Sequence, residues 1–257
     1  MMIQPSWIVR ARVSPHFVLY SSLMYLAYVI NLPYRRTLLD LESMGTYKQM
    51  EKIISFSLWG SRDIYLHGAL VNAKQTAEYF PGWSVRIYHD DTVPHATLDA
   101  LATWKHITLI KVTDGSYGMF WRFAPLFEEA IVLVRDLDSR ITWRDVQCVD
   151  EWLATDKKLH VIRDHDEHYK VPILGGLFGV RGPLPMKLMP SMNDYAQVHK
   201  YNMDQIWLGQ FVWPVIQGSV LEHGYRELDW MAASRGDDEH MCRGYTVDET
   251  PRTDHGG

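Results

Sequence analysis

From Lys52 onward the chain alternates short apolar runs with stretches whose apolar residues recur every three or four positions. The runs, rich in Ile, Val, Leu and Phe, predict strands over Ile53–Leu58, Val85–His89, Ile107–Val112, Ile131–Arg135, Leu159–Arg163 and Ile173–Val180. Helical spacing predicts helices over Leu66–Tyr79, closed by Pro81 and Gly82, and over His95–Trp104, Met119–Glu129, Trp143–Ala154 and Met203–Ile216. Pro125 should bend the helix at Met119–Glu129, and Pro214 should disturb the last turn of Met203–Ile216. Strands alternating with helices imply an α/β domain with a largely parallel sheet. The run Ile131, Val132, Leu133, Val134 reads as buried on both faces, as in a sheet covered by helices on each side. Binding and chemistry in such sheets gather beyond the carboxyl ends of the strands.

The two ends of the chain break this pattern. Residues 1–51 read as an extension. Its stretch 13–34 carries no formally charged side chain and is long enough in principle to cross a bilayer, which permits a signal anchor into a secretory compartment. Pro15, Ser21, Ser22, Asn31 and Pro33 interrupt it, and Arg10 and Arg12 before it are matched by Arg35 and Arg36 after it. A packed or peripheral amphipathic extension is therefore preferred, with Met44 or Met50 as an alternative start and a cytoplasmic or membrane-associated location. Residues 231–257 are polar and acidic and read as a solvated tail. Residues 52–230 are left as the working domain.

Composition narrows the chemistry. A net charge of -5 supplies no broad basic field, so nucleic acid is not the expected partner. Only Cys148 and Cys242 are present, too few for a disulfide framework or a cysteine-rich zinc site. Neither G-x-G-x-x-G nor G-K-[ST] occurs, which lowers dehydrogenase and nucleoside-triphosphatase readings.

The apolar run at Ile131 ends in Arg135-Asp136-Leu137-Asp138. A turn beginning at Leu137 would bring Asp136 and Asp138 toward one divalent ion, and hard oxygen ligands suit Mg²⁺ or Mn²⁺ bridging to phosphates. The plainer alternative pairs Asp136 with Arg135 or Arg140 and has Asp138 cap the helix near Trp143. Arg122 lies in the helical stretch feeding into this strand and is suited to a diphosphate, or else to pairing with Glu128 or Glu129. Asp90 ends the second strand, where a ribose or base would be met, or makes the turn before Thr92.

The order of these signals resembles the glycosyltransferases of the GT-A fold, which take sugars from nucleotide diphosphate sugars at a D-x-D metal site. The likeness covers roughly Lys52 to Trp230. ISFSLWG and YFPGWSVRIYHDD resemble the nucleotide-binding half. FWRFAPL before VLVRDLDSR resembles the arginine-bearing helix of glycogenin-like and lipopolysaccharide galactosyltransferase-like enzymes. HVIRDHDEHYKVPILGGLFGVRG resembles the sugar-side half in related small viral and bacterial enzymes. MDQIWLGQFVW is similar to a D-Q-x-x-L helix and VLEHG to a late metal-binding histidine.

The resemblance implies a single GT-A-like, Rossmann-like α/β domain and a hexosyl- or pentosyltransferase. Asp136, Asp138 and His223 would hold Mn²⁺ or Mg²⁺, with Asp136 also touching the ribose. Ser57, Leu58 and Asp90 would meet the nucleoside, and Arg122 its diphosphate. A lysine expected after the late His-Gly is absent, and Arg226 would replace it. Gly175 and Gly176 would let backbone approach the ligand, or else mark a bulge or tight packing. Asp204 and Gln205 would hydrogen-bond the transferred sugar and stabilise charge at its anomeric carbon, with Asp204 as helix cap the alternative.

Asp164, His165 and His168 form a polar cluster suited to sugar hydroxyls. The D-Q pair favours retention of configuration, whereas inversion would need a base such as Asp164 or Asp166. The expected partners are a nucleotide diphosphate sugar and a glycan, glycoprotein or glycolipid acceptor. The competing readings are a metal-dependent nucleotidyltransferase or phosphohydrolase, and a noncatalytic nucleotide- or carbohydrate-binding protein.

Overall fold

The computed structural model describes residues 50–224. The expectations for the segment 13–34, the acidic tail 231–257 and Arg226 lie outside the described residues. Among the described residues no helix is long and apolar enough to cross a membrane.

Seven strands form one sheet: β1 (Glu51–Leu58), β2 (Ser84–His89), β3 (Ile107–Lys111), β4 (Ala130–Arg135), β5 (Leu159–Arg163), β6 (Leu177–Arg181) and β7 (Val220–Gly224). Their order is β3-β2-β1-β4-β6-β5-β7. β6 runs antiparallel to both of its neighbours, and the other pairings are parallel. The α/β class with a mostly parallel, helix-flanked sheet is thus the one expected. The order 3-2-1-4 is that of a nucleotide-binding half-sheet, and its direction of winding reverses between β1 and β4. The carboxyl ends of these two strands, at Leu58 and Arg135, open the crevice where a ligand is most readily held.

Alternation along the strands builds two apolar layers. Ile53, Val132 and Val134 face one core with Phe120, Phe123, Trp207 and Leu208. Ile54, Phe56 and Leu133 face the other, under helices α1 (Asp63–Tyr79), α2 (His95–Ala102) and α3 (Trp143–Leu153). Ser55 and Ser57 alternate with Ile53 and so face the first layer, where they meet backbone instead of apolar side chains.

Three predicted boundaries shift, each for a local reason. Gly118–Phe127, with Pro125 inside it, winds as 3₁₀ turns instead of an α-helix. β6 begins at Leu177, so Gly175 and Gly176 precede the strand. The last helical region divides into α5 (Met203–Trp207), a wider π turn over Leu208–Val212, and α6 (Trp213–Ile216), which carries Pro214 in its first turn. Helix α4 (Met189–Ala196) and strand β7 were not expected from the pattern.

Candidate active site

At the crossover, Arg122 is the central side chain. Its backbone is fixed by β1: the Ser55 hydroxyl donates to the Arg122 carbonyl at 2.7 Å, and the Arg122 N–H donates to Ser57 Oγ at 3.0 Å. The alternating serines of ISFS therefore clamp the 3₁₀ segment onto the sheet. The buried guanidinium bridges two acids, Nη1 donating to Asp136 Oδ1 and Nη2 donating to Asp204 Oδ2 at 3.0 Å. Burial opposes the charge on Arg122, but Asp136 and Asp204 outweigh it, so the guanidinium stays firmly cationic.

Asp204 is completely buried, and burial raises its carboxyl above the usual range even though Arg122 pulls the other way. Three buried polar atoms cluster here without a hydrogen-bond partner: Arg122 Nε, Asp204 Oδ1 and Gln205 Oε1. Buried groups of this kind cost free energy unless a ligand or water completes them. Gln205 is held from its other end, Nε2 donating to Asn202 Oδ1 at 2.9 Å. Asn202 has φ of 67°, the left-handed region, as the chain enters α5.

Gly175 and Gly176 make this packing feasible. A methyl at Gly175 would lie 2.6 Å from Asp204 Oδ2 and 3.1 Å from Arg122 Nη2, and one at Gly176 would overlap the Asp136 carboxylate. Close approach, not a turn conformation, is what requires glycine here. Gly176→Ala is accordingly expected to push Asp136 off Arg122 and to lower unfolding stability by about 1–3 kcal/mol. Chemical denaturation measures this, and wild-type stability in the variant would show that the carboxylate moves aside freely.

The Asp136–Asp138 loop is shaped from both sides. A turn closes it, with the Ser139 N–H donating to the Asp136 carbonyl at 3.3 Å. From α1, Asn72 Nδ2 donates to the carbonyls of Leu137 and Ser139 at 3.3 and 3.0 Å. Gly68 lies so close that a methyl there would overlap the Leu137 carbonyl. Asn72 and Gly68 were not anticipated, although G-A-L-V-N-A, with small residues one helical turn apart, marks a helix face pressed on backbone. The pairing with Arg135 and the cap of α3, both foreseen for the aspartates, fall to other residues. Arg135 pairs with Asp145 at 2.9 Å, Arg140 Nη1 donates to the Leu137 and Ser139 carbonyls, and Thr142 caps α3 in a capping box with Asp145. Glu128 pairs with Arg86.

Two tyrosines flank the acids and were also not anticipated. Burial and then Asp204 raise the Tyr117 phenol, while burial followed by Asp136, Asp204 and Asp138 raises that of Tyr201. Tyr117 stacks on His199, with centroids 5.4 Å apart.

Arg122, Asp136, Asp204, Gly175 and Gly176 are thus brought together, with Ser57 and Gln205 attached to them. Leu58 ends β1 with its side chain in the opposite core, leaving only its backbone at the crevice.

Three expected site residues stand elsewhere. Asp90 Oδ1 accepts from the Thr92 N–H at 3.0 Å and from the Thr92 hydroxyl, which in turn accepts from the Gly60 N–H. It makes the turn and ties the ends of β1 and β2. Asp164 is fully buried against Arg144, whose Nε and Nη2 lie 3.0 and 2.8 Å from its Oδ1. A carboxylate so neutralised is poorly placed to take an acceptor's proton. His223, on β7, has Nδ1 2.9 Å from His160 Nε2 and Nε2 2.9 Å from Glu151 Oε2. Both of its ring nitrogens are engaged by these partners. Among the described residues no group of three or more His, Cys, Asp or Glu is placed to hold an ion.

No protein-family model matches the chain, and no curated protein does. Distant likenesses are found among solved structures. The chain is similar to the galactosyltransferase LgtC in complex with donor and acceptor sugar analogs, at 18% identity and a TM-score of 0.44, over 73% of this chain and 80% of that one. It is similar to the glycosyltransferase GlyE of Streptococcus pneumoniae at 15% identity and a TM-score of 0.44, over 72% of this chain and 49% of GlyE. A mannosyltransferase of Pyrobaculum calidifontis, in complex with GDP-Man and Mn²⁺, gives 15% identity and a TM-score of 0.39, over 69% and 55% of the two chains.

The donor set by itself fits a hard cation in part. Mg²⁺ is typically held by one or two protein carboxylates together with substrate phosphates, so Asp136 and Asp138 suffice without a histidine. Both lie on the loop and are partly exposed.

Proposed function

We propose that this chain is a glycosyltransferase that moves a sugar from a nucleotide diphosphate sugar to a hydroxyl of a glycan, glycoprotein or glycolipid, with Mn²⁺ or Mg²⁺ as cofactor. One observation carries the reading. A buried cation braced between two acids, with unpartnered polar atoms on Arg122, Asp204 and Gln205, sits at the crossover of the sheet beside a D-x-D loop.

Each open atom matches a feature of such a donor. Arg122 Nε is a charged donor for a phosphate oxygen, and its guanidinium would offset charge as the sugar–phosphate bond breaks. Asp204 Oδ1 and Gln205 Oε1 are acceptors for sugar hydroxyls and would fix the ring with its anomeric carbon presented to the acceptor. Asp136 and Asp138 would hold the cation, which when bound neutralises the departing diphosphate. Ser57 and the backbone at Leu58, at the end of β1, would meet the nucleoside. Retention of configuration is favoured by the Asp204-Gln205 pair, and of the two bases foreseen for inversion, Asp164 and Asp166, the first is buried against Arg144. Asp90, His223 and Arg226 receive no part in this proposal.

Incubation with Mn²⁺ and a panel of UDP-glucose, UDP-galactose, UDP-N-acetylglucosamine and GDP-mannose tests it. Release of nucleoside diphosphate, by transfer or slow hydrolysis, is expected and should cease with a chelator. Release of pyrophosphate, or turnover unaffected by the chelator, would sink the reading.

A further inference from the structure

Asparagine is among the residues that best cap a helix, its side-chain oxygen accepting an N–H of the first turn. Asn202 stands in that place ahead of α5, and its side chain makes no such bond. Its backbone is left-handed, with φ of 67°, a region that glycine and asparagine enter more readily than other residues. The side-chain oxygen goes elsewhere: Oδ1 accepts from Gln205 Nε2 at 2.9 Å, while the Asn202 carbonyl accepts the Ile206 N–H at 3.0 Å. The chain leading to it is anchored to the end of the β3 connection. The Tyr117 N–H donates to the Ala196 carbonyl at 2.7 Å, His199 Nε2 lies 3.0 Å from the Gly115 carbonyl, and the Tyr117 and His199 rings stack.

An amide side chain has one donating end and one accepting end, so a single bond decides which end is left for a ligand. Asn202 takes the donating end of Gln205. What remains is Oε1, which is buried and has no hydrogen-bond partner among the described residues. The residue before it, Asp204, is gripped through Oδ2 by Arg122 and pressed against Gly175, and its Oδ1 is likewise buried and unpartnered among the described residues. Two consecutive residues, each fixed by one atom, thus keep an acceptor in reserve.

A group that completes both must donate to both. Hydroxyls of a sugar ring do so, whereas a carbonyl or carboxylate only accepts. Without the bond to Asn202, the Gln205 amide is free to turn over and present its NH₂. Resting on the function proposed above, we infer that Asn202 is a positioning residue for the transferred sugar, holding Gln205 with its carbonyl toward the sugar hydroxyls. The left-handed turn and the forgone cap are what this orientation requires.

The test compares two variants by calorimetric titration in Mn²⁺, using whichever nucleotide sugar of the panel stabilises the wild type most, and its nucleoside diphosphate. The readout is the ratio of the two Kd values, in which any effect common to the nucleotide cancels. Asn202→Gly suits the left-handed backbone and removes only the side chain. Its Kd for the nucleotide sugar is expected to rise about five- to tenfold relative to that for the nucleoside diphosphate. Asn202→Asp can only accept, so it holds Gln205 in the same sense and should keep the wild-type ratio, its added charge acting on both ligands alike.

An unchanged ratio in Asn202→Gly overturns the inference alone, and a lower melting temperature beside it marks Asn202 as no more than a helix start. An equal change of the ratio in both variants also overturns it, since the aspartate retains the bond to Gln205. A wild-type protein that binds none of the panel overturns the proposed function and this inference with it.

Discussion

Arg122→Met is expected to lower unfolding stability by about 3–5 kcal/mol and to abolish nucleotide-sugar turnover. The stability term comes from the acids the arginine leaves behind. Asp204 is fully buried and has its charge opposed by burial, with Arg122 as the cation that compensates it. Removing that cation while keeping the carboxylates strands charge in a site with little water, which costs more than the pair itself contributes.

Methionine matches much of the arginine's stem and keeps its volume, while the guanidinium's contact over the Phe123 ring is lost together with the charge. Arg122→Lys should rescue only part of it, because a point ammonium cannot span Asp136 and Asp204 as a planar fork does. Adding Asp204→Asn to Arg122→Met should recover stability without recovering turnover, since it removes the stranded charge and not the need for a cation. Chemical denaturation and nucleoside diphosphate release measure the two arms. Near-wild-type stability in the single variant would mean that Asp204 finds another donor, and would remove the arginine from the centre of the site.

The same residues show why parts of this site could be read in the sequence and parts could not. β4 announced itself because four β-branched and aliphatic residues must be buried on both faces, and the aspartates after it are then forced to the carboxyl edge. The Gly175-Gly176 pair was legible as a place of close approach, though not what approaches: Asp136, Asp204 and Arg122 converge there from three separate elements. Partners so far apart in sequence leave no spacing to read.

Asp164 looked available because Arg144, its partner, lies 20 positions earlier on α3. His223 looked like a ligand because a resemblance supplied a role, whereas its actual neighbours, His160 and Glu151, come from β5 and α3. β7 itself was missed since five residues holding Glu, His and Gly show no apolar alternation. It forms because β5 offers a parallel edge to pair with. Local signals thus placed the scaffold and the loop. The charge compensation within it needed coordinates.

Asp138→Asn separates the loop's chemistry from its architecture, and it is expected to lower metal-dependent turnover by roughly a hundredfold or more while leaving the fold intact. Backbone contacts from Asn72, Arg140 and the turn at Ser139 shape the loop, and an asparagine at 138 leaves each of them in place. Asn is nearly isosteric and keeps an acceptor oxygen, so stability should change by less than about 1 kcal/mol. What it loses is the negative charge that suits a hard cation beside a diphosphate.

Asp136→Asn provides the contrast. It removes the same charge and also reduces the ion pair with Arg122 to a neutral hydrogen bond, so it should destabilise as well as inactivate. Two readouts distinguish the pair without relying on activity: the shift in melting temperature on adding Mn²⁺ alone, and the shift on adding Mn²⁺ with UDP or GDP. Both should shrink in Asp138→Asn, the second more, because binding to the folded state stabilises in proportion to occupancy. Wild-type shifts and turnover in Asp138→Asn would take that carboxylate out of the cation's reach and leave Asp136 and Arg122 to account for the diphosphate alone.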